Sequence, residues 1–289
     1  MKQHSRSEQV TARGHLVAIG GAEDKSSEPE ILGRVFGLAP EGCTEVAVIT
    51  TASSVPEKIY PEYELAFIGL GASAVHPLHF RERKDTADPE SLAIIRRCGV
   101  VFFSGGDQMR LTSILGGSPA IEAIRERYYD GVVVAGTSAG AVALSNTTIY
   151  GDGPVDALHK GAVQMGSGLG FVEGVIIDSH FLERGRFTRL MEAGATNPEH
   201  LGVGLGEDAG VIIHPDRVLE SIGPGHVIVV DSRDLASSNV AEISNGEPVA
   251  IENVVMHALI SGHGFDIDKR RYLDTKTLRR RIGSTSGNS

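Results

Sequence analysis

Short apolar runs closed by Gly, Ser or Thr recur along the chain: His15–Ile19, Glu45–Ile49, Val100–Phe103, Val132–Ala135, Val175–Ile177 and Val211–Ile213. Runs without polar alternation are the mark of strands buried on both faces. Between them, Glu28–Phe36, Tyr60–Ile68, Pro89–Arg97 and Ile121–Tyr129 space their apolar residues at helical intervals. Strand and helix in alternation predict crossover units and an α/β fold: a mostly parallel, doubly wound sheet with helices on both faces. Right-handed crossovers bring the carboxyl ends of such strands to one edge, where ligands bind. The least ordinary segments stand just there: Gly20–Lys25, Ser104–Gln108, Gly136–Gly140 and Asp178–Arg189.

After about Gly223 the pattern changes to Val/Ile-rich segments separated by Gly, Asn and Pro, namely His226–Val230, Val240–Ile243 and Pro248–Ile251. These are expected to form a small antiparallel C-terminal extension of the main sheet. The expected organisation is a flexible N-terminus over 1–13, a single α/β domain over 14–282 with its extension from about 223, and a flexible tail over 283–289. The run Arg279-Arg280-Arg281 reads as a solvated face.

Composition mainly removes alternatives. With 41% hydrophobic and 22% charged residues in 289, the chain has the make-up of an ordinary globular protein. A formal charge of −10 argues against a nucleic-acid partner, which would require a basic face. Cys43 and Cys98 lie in no metal-binding or disulfide pattern and read as two reduced core thiols. The polar start MKQHSRSEQVTARG lacks a secretory signal, and no run approaches the about 20 apolar residues of a membrane span. A cytoplasmic protein without a membrane partner is expected.

The segment Val132–Ala141 runs from an apolar strand into Gly136-Thr137-Ser138-Ala139-Gly140 and then into small helix-compatible residues. This is the strand, sharp turn and helix that project a serine at a sheet edge, and Ser138 is the candidate nucleophile. G-x-S-x-G alone is common in a chain with 36 glycines; the strand before it gives it weight. A serine hydroxyl needs a base, and His180, just beyond Val175–Ile177, is the histidine best placed on the catalytic edge. The base needs an acceptor; Glu207 is the candidate and Asp208 its rival, which the residues alone do not separate. The N–H of Ala139, directly after the serine, and that of Gly106, in a Gly-Gly turn after Val101–Phe103, are candidate oxyanion donors. Arg184, Arg186 and Arg189 follow His180 within nine residues, and their planar forks suit a substrate bearing carboxylates.

Four segments, GGAEDK (Gly20–Lys25), FFSGGDQMRLTSILGG (Phe102–Gly117), AGTSAGA (Ala135–Ala141) and DSHFLERGRFTRL (Asp178–Leu190), together resemble the cyanophycinase family. These are serine peptidases related to peptidase E, with a fold akin to class I glutamine amidotransferases. The resemblance extends from about Gly14 to Pro215. It implies an exopeptidase that cuts cyanophycin, poly-aspartate carrying arginine on its side chains, into β-Asp-Arg dipeptides. It implies a cytoplasmic homodimer with no metal and no cofactor. Ser138, His180 and Glu207 match the family's triad, Ala139 and Gly106 its oxyanion donors, and Gln108, Asp178, Arg184, Arg186 and Arg189 its substrate pocket. On this view the arginines hold aspartyl carboxylates and Asp178 holds a substrate guanidinium. Two departures from the family pattern stand out: Ser179, where the family commonly has glutamine, bears on fine specificity, and the acid segment GLGEDAG keeps the glutamate but alters its neighbours. An aspartyl dipeptidase of the peptidase E type and a non-catalytic ligand-binding relative are the alternatives.

Overall fold

The structure, a computed structural model, describes residues 12–151 and 158–285. Its first half alternates β1 (Leu16–Ile19), α1 (Glu30–Gly37), β2 (Glu45–Ile49), α2 (Pro56–Gly69), β3 (Ala74–Leu78), α3 (Pro89–Arg97), β4 (Val100–Phe103), α4 (Gln108–Leu115), α5 (Pro119–Tyr129) and β5 (Val133–Thr137). Helix starts are written locally. Asp107 accepts from the Met109 and Arg110 N–H groups at the head of α4, and Ser118, followed by Pro119, accepts from the Ile121 N–H at the head of α5.

The second half is mainly strand. After the short α6 (Ala139–Val142) come β6 (Thr147–Tyr150), β7 (Gln164–Ser167), β8 (Val175–Asp178), α7 (Phe187–Thr196), β9 (Leu201–Leu205), β10 (Gly210–Ile213), β11 (Val218–Ile222) and β12 (Val227–Asp231). They are followed by β13 (Ser237–Ser238), β14 (Ile251–Glu252), β15 (Val255–Leu259), β16 (Gly264–Asp266), β17 (Arg271–Leu273) and α8 (Thr275–Thr285).

Among the described residues the main sheet has nine strands in the order β17-β16-β11-β10-β1-β5-β4-β2-β3. From β1 to β3 all neighbours are parallel, with Leu16 opposite Val134 and Val46 opposite Val100; from β1 to β17 all are antiparallel. The α/β fold stands as expected, and the antiparallel half is larger than the sequence pattern indicates. A second sheet, β15-β12-β9-β8, takes in two segments expected in or beside the main one, Val175–Ile177 and His226–Val230. Sheet membership is decided by pairing with remote segments, which local pattern does not encode. Val240–Ile243, expected as a strand, is a turn and bend, and Pro248 makes only an isolated bridge to His159. Helix α8 runs to Thr285, into the stretch assigned to a tail; residues 1–11 and 286–289 lie outside the described residues.

The two sheets share one core. Alternate residues of the second sheet (Val175, Ile177, Leu201, Val203, Leu205, Val227, Val229) join Leu16, Ala18, Ile49, Val101 and Phe103 of the main sheet and Ile95, Ile121 and Ile124 of α3 and α5. The opposite face of the main sheet, Val17, Ile19, Val46, Val48, Phe102 and Ala135, packs under α1 and α2 through Ile31, Leu32, Val35, Tyr63 and Phe67. The outer face of the second sheet packs on Phe181, Leu190 and Ala193 beside and within α7. This arrangement sets the carboxyl ends of β1, β4, β5, β8 and β9 around one point.

Candidate active site

At that point the loop leaving β1 binds three other segments through its carbonyls. Ile19 O accepts from the Ser138 N–H at 2.9 Å, Gly20 O from the His180 N–H at 3.0 Å, and Gly21 O from the Asp208 N–H at 2.9 Å. At its two glycines the loop has no room for side chains: a Cβ on Gly20 would stand 2.0 Å from Gly206 O. A Cβ on Gly21, whose φ is +108°, would stand 2.4 Å from His180 Cε1.

Ser138, between β5 and α6, holds φ 51° and ψ −119°, a strained conformation for a residue with a Cβ. Its Oγ lies 2.9 Å from His180 Nε2, and His180 Nδ1 lies 2.8 Å from Glu207 Oε1. Asp208 turns the other way, its Oδ1 accepting from the Asp24 N–H at 3.4 Å. The three sequence-predicted groups therefore form a continuous Ser–His–Glu relay, and of the two rival acids only Glu207 faces the imidazole.

A cavity of about 460 Å³ opens on one side of this relay, lined by Gly106, Gln108, Ser138, Ala139, Asp178, Ser179 and the three arginines Arg184, Arg186 and Arg189. Asp178, at the end of β8, is fully buried: Arg186 Nη1 donates to its Oδ1 at 3.1 Å and Arg189 Nε stands 3.3 Å from its Oδ2. Burial pushes the Asp178 carboxyl up, and Arg189 and then Arg186 pull it back. It is therefore engaged by the protein's own arginines, where the family resemblance implies that it holds a ligand guanidinium. Arg186 also donates to Ser179 O at 2.8 Å, and Arg189 Nη1 to Gly151 O at 2.6 Å.

The sequence profile of peptidase family S51 matches residues 16–220, a range that holds the relay and the whole lining of this cavity. The chain belongs to peptidase family S51. This S51 chain is 37% identical over 269 residues to a cyanophycinase of Trichormus variabilis, covering 93% of itself and 90% of that protein. It is 36% identical over 265 residues to a cyanophycinase of Geminocystis herdmanii, covering 91% and 94%. Its fold is similar to that of a peptidase from an acI-B1 actinobacterium, with a TM-score of 0.64 at 20% identity over 89% of this chain and 98% of that one. It is accordingly a hydrolase of the peptidase class.

Other parts of the S51 site follow from the same loops. Ala139 opens α6, where first-turn N–H groups lack intrahelical acceptors. Gly106 holds φ +141°, and a Cβ there would stand 2.1 Å from Ala52 O. Gln108 lies on the cavity wall and donates through Nε2 to Ile149 O at 3.1 Å. Met109, 57% exposed at the cavity lip, is a lining residue that the sequence pattern does not single out. A second hollow of about 280 Å³ lies across Ser138 and His180, bordered by Glu23, Lys25, Glu62 and Tyr63. The sequence marks Gly20–Lys25 as unusual but not as the hub of the site; its one signal for that role is a glycine pair directly after a buried strand.

Among the described residues, Glu45, His76 and Cys98 bring possible metal-ligand atoms within 4.8 Å of one another, but Arg97 Nε already donates to Glu45 at 2.7 Å. Glu45 opens β2 and Cys98 precedes β4, at the ends of those strands opposite the relay. No described helix is long and apolar enough to cross a membrane.

Proposed function

We propose that this peptidase is a serine exopeptidase that hydrolyses cyanophycin to β-Asp-Arg dipeptides through an acyl-enzyme on Ser138. The observation that carries this reading is the relay itself: Ser138 Oγ at 2.9 Å from His180 Nε2, at the mouth of a cavity with three arginines. The cyanophycinase names of relatives 35–37% identical over about nine-tenths of the chain supply the substrate.

Ser138 Oγ attacks the carbonyl carbon of the scissile aspartyl bond while His180 Nε2 takes its proton. Glu207 accepts from His180 Nδ1–H, fixing the tautomer and stabilising the imidazolium. The N–H groups of Ala139 and Gly106 receive the oxyanion. His180 then gives its proton to the leaving amine, and a water deprotonated by the same imidazole releases the acyl group from Ser138. Arg184, Arg186 and Arg189 bind the carboxylates of the aspartyl-arginine unit, with Asp178 keeping the latter two aligned. Ser179, shorter than the family's usual glutamine, leaves extra room in the cavity wall.

The arginines would equally suit a free aspartyl dipeptide, the peptidase E type of substrate. Dipeptide release from purified cyanophycin, with an Asp-Xaa dipeptide in parallel, separates the two. The parent protein is expected to yield β-Asp-Arg, and Ser138→Ala to lose at least about a thousandfold in kcat. Cleavage of Asp-Xaa alone would move the substrate to the peptidase E class, and silence of the parent on both would overturn the catalytic reading.

A further inference from the structure

Glu23 is a buried carboxylate that the relay does not use. It is 3% exposed, on the loop that leaves β1, and its nearest polar partners are two hydroxyls. Tyr63 donates to Oε1 at 2.6 Å and Thr137 to Oε2 at 2.7 Å; Lys25 Nζ stands farther off, 3.7 Å from Oε1 and 5.2 Å from the Tyr63 ring centroid. Burial, and then the Glu23 charge, push the Tyr63 phenol well above its ordinary value, so it remains a donor. A buried carboxylate is retained only where charge-assisted hydrogen bonds satisfy it. Here one of those bonds goes to the residue immediately before Ser138.

That placement matters because of the backbone that follows. Thr137 ends β5, paired with Ile19 of β1, and Ser138 then turns through a conformation that persists only when its surroundings over-determine it. The β1 loop grips this elbow twice: Ile19 O takes the Ser138 N–H and Glu23 takes the Thr137 hydroxyl. The same loop holds the His180 backbone through Gly20 O. Serine and base are thus set against one reference, and Glu23 fixes the serine's side of it.

We propose that Glu23 is a positioning residue for hydrolysis, holding the Thr137 side chain so that Ser138 Oγ stays in line with His180. This rests on the reading of Ser138 as nucleophile. Displacing a reacting group by a fraction of an ångström lowers the chemical step and leaves substrate binding alone.

The test uses the full-length protein with Thr137→Val, which keeps the β-branched shape and removes the hydroxyl, Thr137→Ser, which restores it, and Glu23→Gln. The readouts are kcat and KM on a short aspartyl-arginine peptide, the rate of fluorophosphonate labelling, and the melting temperature, with kinetics taken well below each variant's melting range. Thr137→Val and Glu23→Gln are expected to lower kcat and labelling by about ten- to a hundredfold with KM within about twofold, and Thr137→Ser to recover to within about threefold. An unchanged kcat in folded Thr137→Val, a loss confined to KM, or failure of Thr137→Ser to recover would overturn the proposal. Ser138→Ala, measured alongside, separates the two ideas: if it keeps activity, the nucleophile is wrong; if it is dead while Thr137→Val is unimpaired, only the positioning role falls.

Discussion

Ala22, Ser138, His180 and Asp208 all hold a positive φ without being glycine; Ser138 and His180 belong to the relay, and Ala22 and Asp208 lie in the loops beside it. For such residues the left-handed conformation costs about 1–2 kcal/mol each. At Asp208 the conformation turns one carboxylate out towards Asp24 while its neighbour Glu207 faces His180. This local backbone twist separates two acids that are adjacent and chemically alike in the sequence, and no residue-type rule encodes it. Substitutions should reveal the asymmetry. Glu207→Gln is expected to lower kcat by about a hundred- to ten-thousandfold through the wrong imidazole tautomer. Asp208→Asn, a residue at ease with positive φ, should cost less than about tenfold. Steady-state kinetics on the same peptide decide it, and equal losses would contradict the geometry. Ser138 and His180 are legible in the sequence because each follows an apolar strand. Glu23 and Thr137 are not, because a hydrogen bond between distant segments leaves no local trace.

Strands buried on both faces announce themselves: β1, β2 and β4 are almost wholly Val, Ile, Leu, Phe and Ala, and β5 begins Val-Val-Ala. Two others do not. β3 contains His76 and Pro77, tolerated because it is the edge strand of the sheet. β9, Leu-Gly-Val-Gly-Leu, alternates glycine with apolar residues, and the Phe181 ring packs over Gly204 where a Cβ would be 2.4 Å away. Its glycines weaken the strand signal while serving the packing that sets His180. The loop after β1 can be tested as an element. Gly21→Ala would drive a methyl into the His180 ring at a φ that alanine disfavours. It should destabilise the protein by about 1–3 kcal/mol in urea titrations and lower kcat by at least about tenfold in the protein that remains folded. Full activity with full stability would mean that the loop is not a fixed reference for the base.

A partly buried polar network ties the start of β1 to the antiparallel half of the molecule. His15 meets the His214 ring edge-on at 5.1 Å, His214 Nε2 lies 3.0 Å from Glu220, and Glu220 accepts from Arg34 at 2.8 Å. Burial, and then His214, push His15 down to about 4 from 6.5. Its unfolded form takes up a proton before its folded form does. The contribution to stability is therefore complete above about pH 6.5 and is lost as pH falls towards about 4, amounting to about 3 kcal/mol. Urea midpoints across this range should fall with acidification, and His15→Gln should flatten the slope; an unaltered slope would assign the loss elsewhere.

The loop after β1 also governs when the enzyme comes into being. It is synthesised well ahead of the segments it serves: the amides that its carbonyls bind belong to Ser138, His180 and Asp208, and β1 lies between β5 and β10 in the sheet. A chain emerging from the ribosome carries the receiver long before it carries what is to be received. No fragment ending before Glu207 can close the relay, because the imidazole then lacks its carboxylate. The relay is thus withheld by chain order until the segment that carries Glu207 has been made, long after the loop that is to receive it.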